Sequence, residues 1–265
     1  MMASRNRSLA PYLVACILPA CVLLAWEIAG RGDGQLPPPT RIVQAWGVWL
    51  LGETGGGTGV YSGTWLADAW VSTVRVLKGI LVATLVGVPL GILIGWSRRI
   101  ADFIDAPVQL TRPIPITAWV PFSMILFGVA DGSTVFLIAL GAFYPIVVNT
   151  THGVRQIRRT LIRAASMMGC GRLQLLWRVA LPAALPNVLT GLRLGVGVGW
   201  VCVVVGEMIA VKSGLGYVLW DSLTYKRMDI TIISMLSMGL LGALTDLLIV
   251  LLSRRLLRWQ ALESQ

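Results

Sequence analysis

The sequence predicts an all-α polytopic membrane protein of about six transmembrane helices. Three observations carry that prediction. Of 265 residues, 56% are hydrophobic and only 13% are charged, whereas a soluble domain carries about a quarter charged residues. The apolar residues come in runs close to the ~20 needed to cross a bilayer. The basic residues lie between those runs, on alternate sides.

The first run, 11–29, follows Arg5 and Arg7. It is longer than a signal-peptide core and has no convincing small-x-small cleavage site, so it reads as a retained signal anchor. An outer loop, 30–70, comes next. Pro37, Pro38 and Pro39 cannot continue a helix. From Arg41 to Leu51 the residues Ile42, Val43, Trp46 and Trp49 can share one face, which predicts a short amphipathic helix in the interface. Gly52–Gly63 reads as a glycine-rich loop.

The second span is expected over Val71–Trp96, with Arg75 and Lys78 near its start and free to snorkel to the surface. The third, Ala106–Val129, contains Pro113, Pro115 and Pro121 and should be broken or bent. The fourth covers Thr134–His152 and the fifth Leu185–Val211, whose glycines permit close helix contact. Lys212–Asp229 reads as a loop, and the sixth span covers Ile230–Leu252. The organisation expected is a cytoplasmic N-terminus 1–10, the first helix 11–29, the outer loop 30–70, a core 71–259 with a loop at 153–183, and a tail 260–265.

Charge placement orients the chain. Arg5, Arg7, Arg98, Arg99, Arg155, Arg158, Arg159, Arg163, Arg172, Arg178, Arg254, Arg255 and Arg258 fall on one side; Arg31, Arg41, Lys212, Lys226 and Arg227 fall on the other. The positive-inside rule puts the first set, and both termini, in the cytoplasm. The net charge of +10 is therefore a topology signal and not the soluble basic face of a nucleic-acid binder. Cys16, Cys21, Cys170 and Cys202 have no metal-site spacing. His152 has no clustered partner, and no His, Asp or Ser constellation suggests an intramembrane enzyme; Asp246 stands alone.

The loop between the fourth and fifth spans carries six Arg and no acidic residue. Leu161–Met168 should be helical, Gly169-Cys170-Gly171 should break it, and Gln174–Val179 should be helical again before Leu181-Pro182 ends that piece. Charge alone would suit anionic lipid. Small residues at Ala164, Ala165 and Gly169 instead suit a docking surface that a partner approaches closely.

Ala164-Ala165, three residues, Gly169, nine residues and Val179-Ala180-Leu181-Pro182 resemble the EAA loop of ABC-importer permeases. Arg163 stands where that family has Glu, and Val179 where it has Ile. The resemblance covers about Val71–Trp259. Arg112-Pro113-Ile114-Pro115, Ala118-Trp119-Val120-Pro121, Phe127-Gly128, Gly199-Trp200, Gly206-Glu207-Met208 and Ser213-Gly214-Leu215-Gly216-Tyr217 look like the nitrate, sulfonate, taurine and bicarbonate permeases.

The resemblance implies a type I importer permease fold in a bacterial inner membrane. It implies that Arg163, Ala164, Ala165, Met168, Gly169, Leu181 and Pro182 belong to a coupling segment, 160–182. The implied partners are two ATP-binding subunits, a second permease copy, the lipid bilayer and a periplasmic substrate-binding protein. ATP and Mg would be bound by the partner ATPase; no cofactor is expected in this chain. The sequence agrees, because it has no Gly-x-x-x-x-Gly-Lys-Ser/Thr loop.

Arg112, Arg193 and Glu207 fall in or near the spans, where ionisable residues face a bundle interior or a cavity. Arg112, Trp119, Trp200 and Glu207 are the candidate pathway residues. Arg112 either meets an oxyanion in transit, snorkels or pairs within the bundle. Arg193 either meets the anion, snorkels or pairs within the bundle. Glu207 either pairs with an outer-loop cation or shapes a gate with Trp200. A secondary transporter or channel is the alternative; it would give no reason for the spaced loop.

Overall fold

The computed structural model describes residues 10–32, 36–52 and 61–257, with 10–16 as backbone. The first nine residues, most of the glycine-rich stretch (53–60) and the tail 260–265 lie outside the described residues. The described residues form eleven α-helices: α1 Ala10–Gly30, α2 Pro39–Leu51, α3 Trp65–Trp96, α4 Arg98–Thr111, α5 Val120–Phe127, α6 Asp131–Arg155, α7 Arg159–Met167, α8 Arg172–Leu175, α9 Leu181–Ala210, α10 Leu215–Thr224 and α11 Met228–Leu256.

Among the described residues, four segments are long and apolar enough to cross a membrane: α3, α6, α11 and the continuous stretch Arg172–Ala210 that ends in α9. The pair α4/α5 makes a fifth as a broken span, bent by 96°. The bend lies at Pro113 and Pro115, and Pro121 opens α5, where its missing N–H costs nothing. The first expected span is α1, 21 residues long, or about 32 Å; its apolar stretch within the described residues is Ile17–Gly30.

Two expectations change. The stretch after Lys212 contains a helix, α10, so it is not simply a loop. Leu181-Pro182 does not end a piece; the chain passes through it as one helix. Leu176–Ala180 is a π turn, in which the Leu181 N–H reaches Leu176 O. Pro182 explains the wide turn. Its ring would crowd the carbonyl four residues back in a regular α-helix, and a π turn moves that carbonyl away.

The chain divides into two compact units. One comprises Met1–Leu66 and Leu219–Met235. Within it Glu27 of α1 accepts hydrogen bonds from the Thr40 backbone N–H (3.2 Å) and Thr40 Oγ1 (3.0 Å) at the start of α2. Trp49, fully buried, donates through Nε1 to Thr64 Oγ1 at 3.0 Å, and Tyr61 donates to Asp221 at 2.6 Å. The amphipathic face expected of α2 is therefore packed at Ile42 and Trp49.

The other unit comprises Ala67–Val218 and Leu236–Gln265. Its centre is α6, which glycines on α3 and α9 approach closely. A Cβ added at Gly91 of α3 would lie 2.7 Å from Thr150 Cβ and 2.9 Å from Val147 O. One added at Gly206 of α9 would lie 2.7 Å from Thr134 Cγ2. Apolar side chains gain little from leaving lipid tails, so helices in a membrane hold together by such close packing.

Candidate functional site

Three polar or exposed constellations stand out in the second unit. The first is centred on Arg75 of α3. Its Nε and Nη2 donate to Asp131 Oδ1 (3.1 and 2.6 Å), its Nη1 to Glu207 Oε1 (2.8 Å) and Ser213 O (2.7 Å), and Nη2 also to Ser213 Oγ (2.8 Å). All five guanidinium protons are accounted for. Glu207 Oε2 accepts from Ser72 Oγ and from the Gly216 N–H, both at 2.8 Å, and Ser72 Oγ accepts from the Leu215 N–H at 2.9 Å.

This network corrects two expectations. Arg75 does not snorkel; it is 3% exposed. Glu207 pairs not with a loop cation but with this helix-borne Arg, and it is fully buried. A lone buried charge in this position would be costly, and mutual pairing with full hydrogen bonding offsets that cost. The network ties the first turns of α3 and α6 and the last turn of α9 to the segment before α10. Gly214 has φ +101, and an added Cβ would meet the Glu207 carboxylate at 2.5–2.6 Å. Only glycine permits both that conformation and that approach.

The second constellation joins α9 to α11. Arg193 Nε donates to Asp246 Oδ1 at 2.6 Å and Nη2 to Oδ2 at 2.8 Å. Asp246 is thus not alone, as its sequence position implied. Trp200, buried, donates through Nε1 to Thr245 Oγ1 at 2.9 Å. Trp200 therefore braces α9 against α11, whereas the Glu207 carboxylate bonds Arg75, Ser72 and the Gly216 N–H and not Trp200. Trp119 is half-buried in the turn Ile116–Trp119, edge-to-face with Phe122, and its Nε1 has no partner among the described residues. Arg112 caps α4 at the bend and is exposed. The structure does not bring Arg112, Trp119, Trp200 and Glu207 into one cluster.

The third constellation is the basic loop. Helix α7 ends in a Schellman turn. The Cys170 N–H bonds Ala165 O (3.2 Å), the Gly169 N–H bonds Ser166 O (3.1 Å), and Gly169 has φ +83. Gly169 is therefore required first by the helix stop; its surroundings are also open, with nothing within 4 Å of an added Cβ. The inner side of the loop packs on the span ends: Val154, Ile157, Ala180 and Ala184 form a buried cluster with Ile92, Trp96, Ile162 and Leu176.

The outer side is exposed and partly apolar. Met167 and Met168 are 83% and 77% exposed, and Leu173 and Trp177 are also exposed. Arg163, Ala164 and Pro182 face outward, Leu181 is half-buried, and Ala165 is buried. Of the three small residues expected to admit a partner, Ala164 and Gly169 remain at the surface. Exposed methionines and a tryptophan next to arginines form an adaptable contact surface.

Comparison with known proteins adds the following. The family described as "Binding-protein-dependent transport system inner membrane component" matches residues 87–258. The taurine transport system permease protein of Escherichia coli is 34% identical over 84% of this chain and 80% of its own length. The nitrate import permease protein of a Synechocystis species is 32% identical over 88% of this chain and 85% of its own. Among solved structures, an inward-facing methionine ABC transporter, MetNI, superimposes with a TM-score of 0.63, 18% identity, 72% of this chain and 95% of that chain; this likeness concerns the fold.

Proposed function

The chain belongs to the family of binding-protein-dependent transport system inner membrane components, as the permease subunit of an ABC importer, and from that premise we propose how its parts are used. The segment 160–182 is the coupling element that docks on a separate ATP-binding subunit. The observation that carries this reading is the outer side of α7 and the turn after it, where Met167, Met168, Ala164 and Gly169 are exposed on a loop whose inner side is anchored to three spans. A rigid mount with a bare contact face transmits motion. Two copies of the chain and two ATPase subunits make the working assembly. Both termini lie in the cytoplasm, with ATP and Mg bound on the partner.

The cargo in this reading is a small oxyanion of the sulfonate or nitrate kind, in keeping with the names of the taurine and nitrate permeases. The coupling reading is tested by Gly169→Glu in the full transporter. The left-handed turn is then strained and a carboxylate stands in the contact face. Loss of ATPase co-purification with the permease still in the membrane is the expected result. An ATPase that still co-purifies and drives uptake would refute the assignment. The cargo reading is tested by uptake of labelled taurine and nitrate in cells expressing the whole transporter, against competition by uncharged amides.

A further inference from the structure

We infer that the Arg193–Asp246 pair faces the water-filled translocation path and that the free end of the Arg193 guanidinium is a contact for the anion in transit. The anion part of this inference rests on the cargo reading above. Depth comes first. Arg193 is about 22 Å along the helix from Arg178 and about 26 Å from Ala210, and Asp246 is about 12 Å from Arg254. Both lie inside the hydrocarbon zone. Arg193 has a long stem that could reach an interface; the short Asp246 side chain could not.

Exposure and hydrogen-bond accounting exclude lipid. The side chains of Arg193 and Asp246 are 55% and 36% exposed. Asp246 occupies the side-on edge of the guanidinium, one proton on Nε and one on Nη2. Three protons remain, on Nη1 and Nη2, and nothing among the described residues accepts them. Lipid tails offer no acceptor, and a dry contact with a second copy would bury the three unmet. Water satisfies them. The same free edge is a two-pronged donor of the shape a carboxylate, sulfonate or nitrate accepts. Asp246 then acts as a positioning residue that aims this edge. The neighbouring surface leaves room: Gly197, one turn along α9, and Gly239 of α11 are exposed and have nothing within 4 Å of an added Cβ.

The test uses Gly197→Cys in the full transporter, with Cys16, Cys21, Cys170 and Cys202 replaced by Ser or Ala. Membrane-impermeant thiosulfonate reagents, one anionic and one cationic, are applied from the cytoplasmic side in resting and nucleotide-trapped states. We expect labelling in at least one state, with slowing by millimolar nitrate or methanesulfonate. The anionic-to-cationic rate ratio should fall about threefold or more with Arg193→Gln and rise with Asp246→Asn. The double variant Arg193→Gln, Asp246→Asn keeps a hydrogen-bonded pair without charge; its two opposite shifts offset, so its ratio should stay near that of the Gly197→Cys parent while protection by nitrate or methanesulfonate is lost, which keeps the test open should a single variant fail to assemble. No labelling in either state means a dry face and overturns the inference. Labelling with a ratio unchanged in the single variants, without anion protection in the parent, or with protection kept in the double variant, overturns the anion role. Both outcomes leave ATPase docking and whole-cell anion uptake, which test the proposed function, unaffected.

Discussion

At the scale of residues, the deepest constraint is the charge network on Arg75. Removing one member of a buried pair leaves the other charge unmet, at a cost of about 3–5 kcal/mol. Glu207→Ala should therefore sharply lower the thermal midpoint of the detergent-purified permease. Glu207→Gln, which can keep some hydrogen bonds from Ser72 and Gly216, should lower it less. The comparison is made by following aggregation on heating. Equal losses in the two variants would mean that carboxylate charge, and not hydrogen bonding, dominates. At Gly214, Ala is strained by φ +101 and collides with Glu207; a cost of about 1–3 kcal/mol is expected, read in the same assay.

At the scale of elements, α6 is the hub, and its neighbours approach through glycines. Gly91→Ala places a Cβ against Thr150 and the Val147 carbonyl. It should reduce membrane yield and thermal stability, because neither obstacle is a flexible side-chain tip. Gly197→Ala, made in open space, should be neutral or gain up to about 1 kcal/mol from helix propensity. Both are measured as yield and midpoint of the purified permease. Much of the spans' placement was legible in the sequence. The fourth span was expected over Thr134–His152 and is Asp131–Arg155; the fifth was expected from Leu185 and starts at Leu181. The ends differ because polar end residues such as Asp131 and Arg155 join a helix when its terminal turns have partners to satisfy them. The third span was legible only as a disruption. Three prolines announce a break, but not its 96° angle, which depends on what α4 and α5 each pack against.

For the whole molecule, the prediction concerns orientation and coupling together. A reporter active only in the cytoplasm, fused after Gln265, should be active, and one inserted after Gly57 should be silent. The reverse pattern would invert the topology and place the basic loop away from any ATPase. The basic loop, proposed above as the coupling element, shows how far sequence carries at this scale. The spacing from Ala164 to Pro182 marked it, and the helix stop at Gly169 could be anticipated. That Ala165 turns inward could not, since two adjacent alanines read alike until the loop is laid on Val154, Ile157 and Ala180.

The sequence by itself determined the class and the family, and it is also the source of the proposed sidedness and of the proposed coupling loop. Apolar run length, the distribution of Arg and residue spacing are local quantities, and the bilayer acts on them locally. Only the tertiary structure decided which charges meet. Arg75 and Glu207 are 132 residues apart, and Arg193 and Asp246 are 53 apart. Whether such groups snorkel, stand alone or pair depends on how α3, α6, α9 and α11 pack. That packing determines where each charge finds its partner.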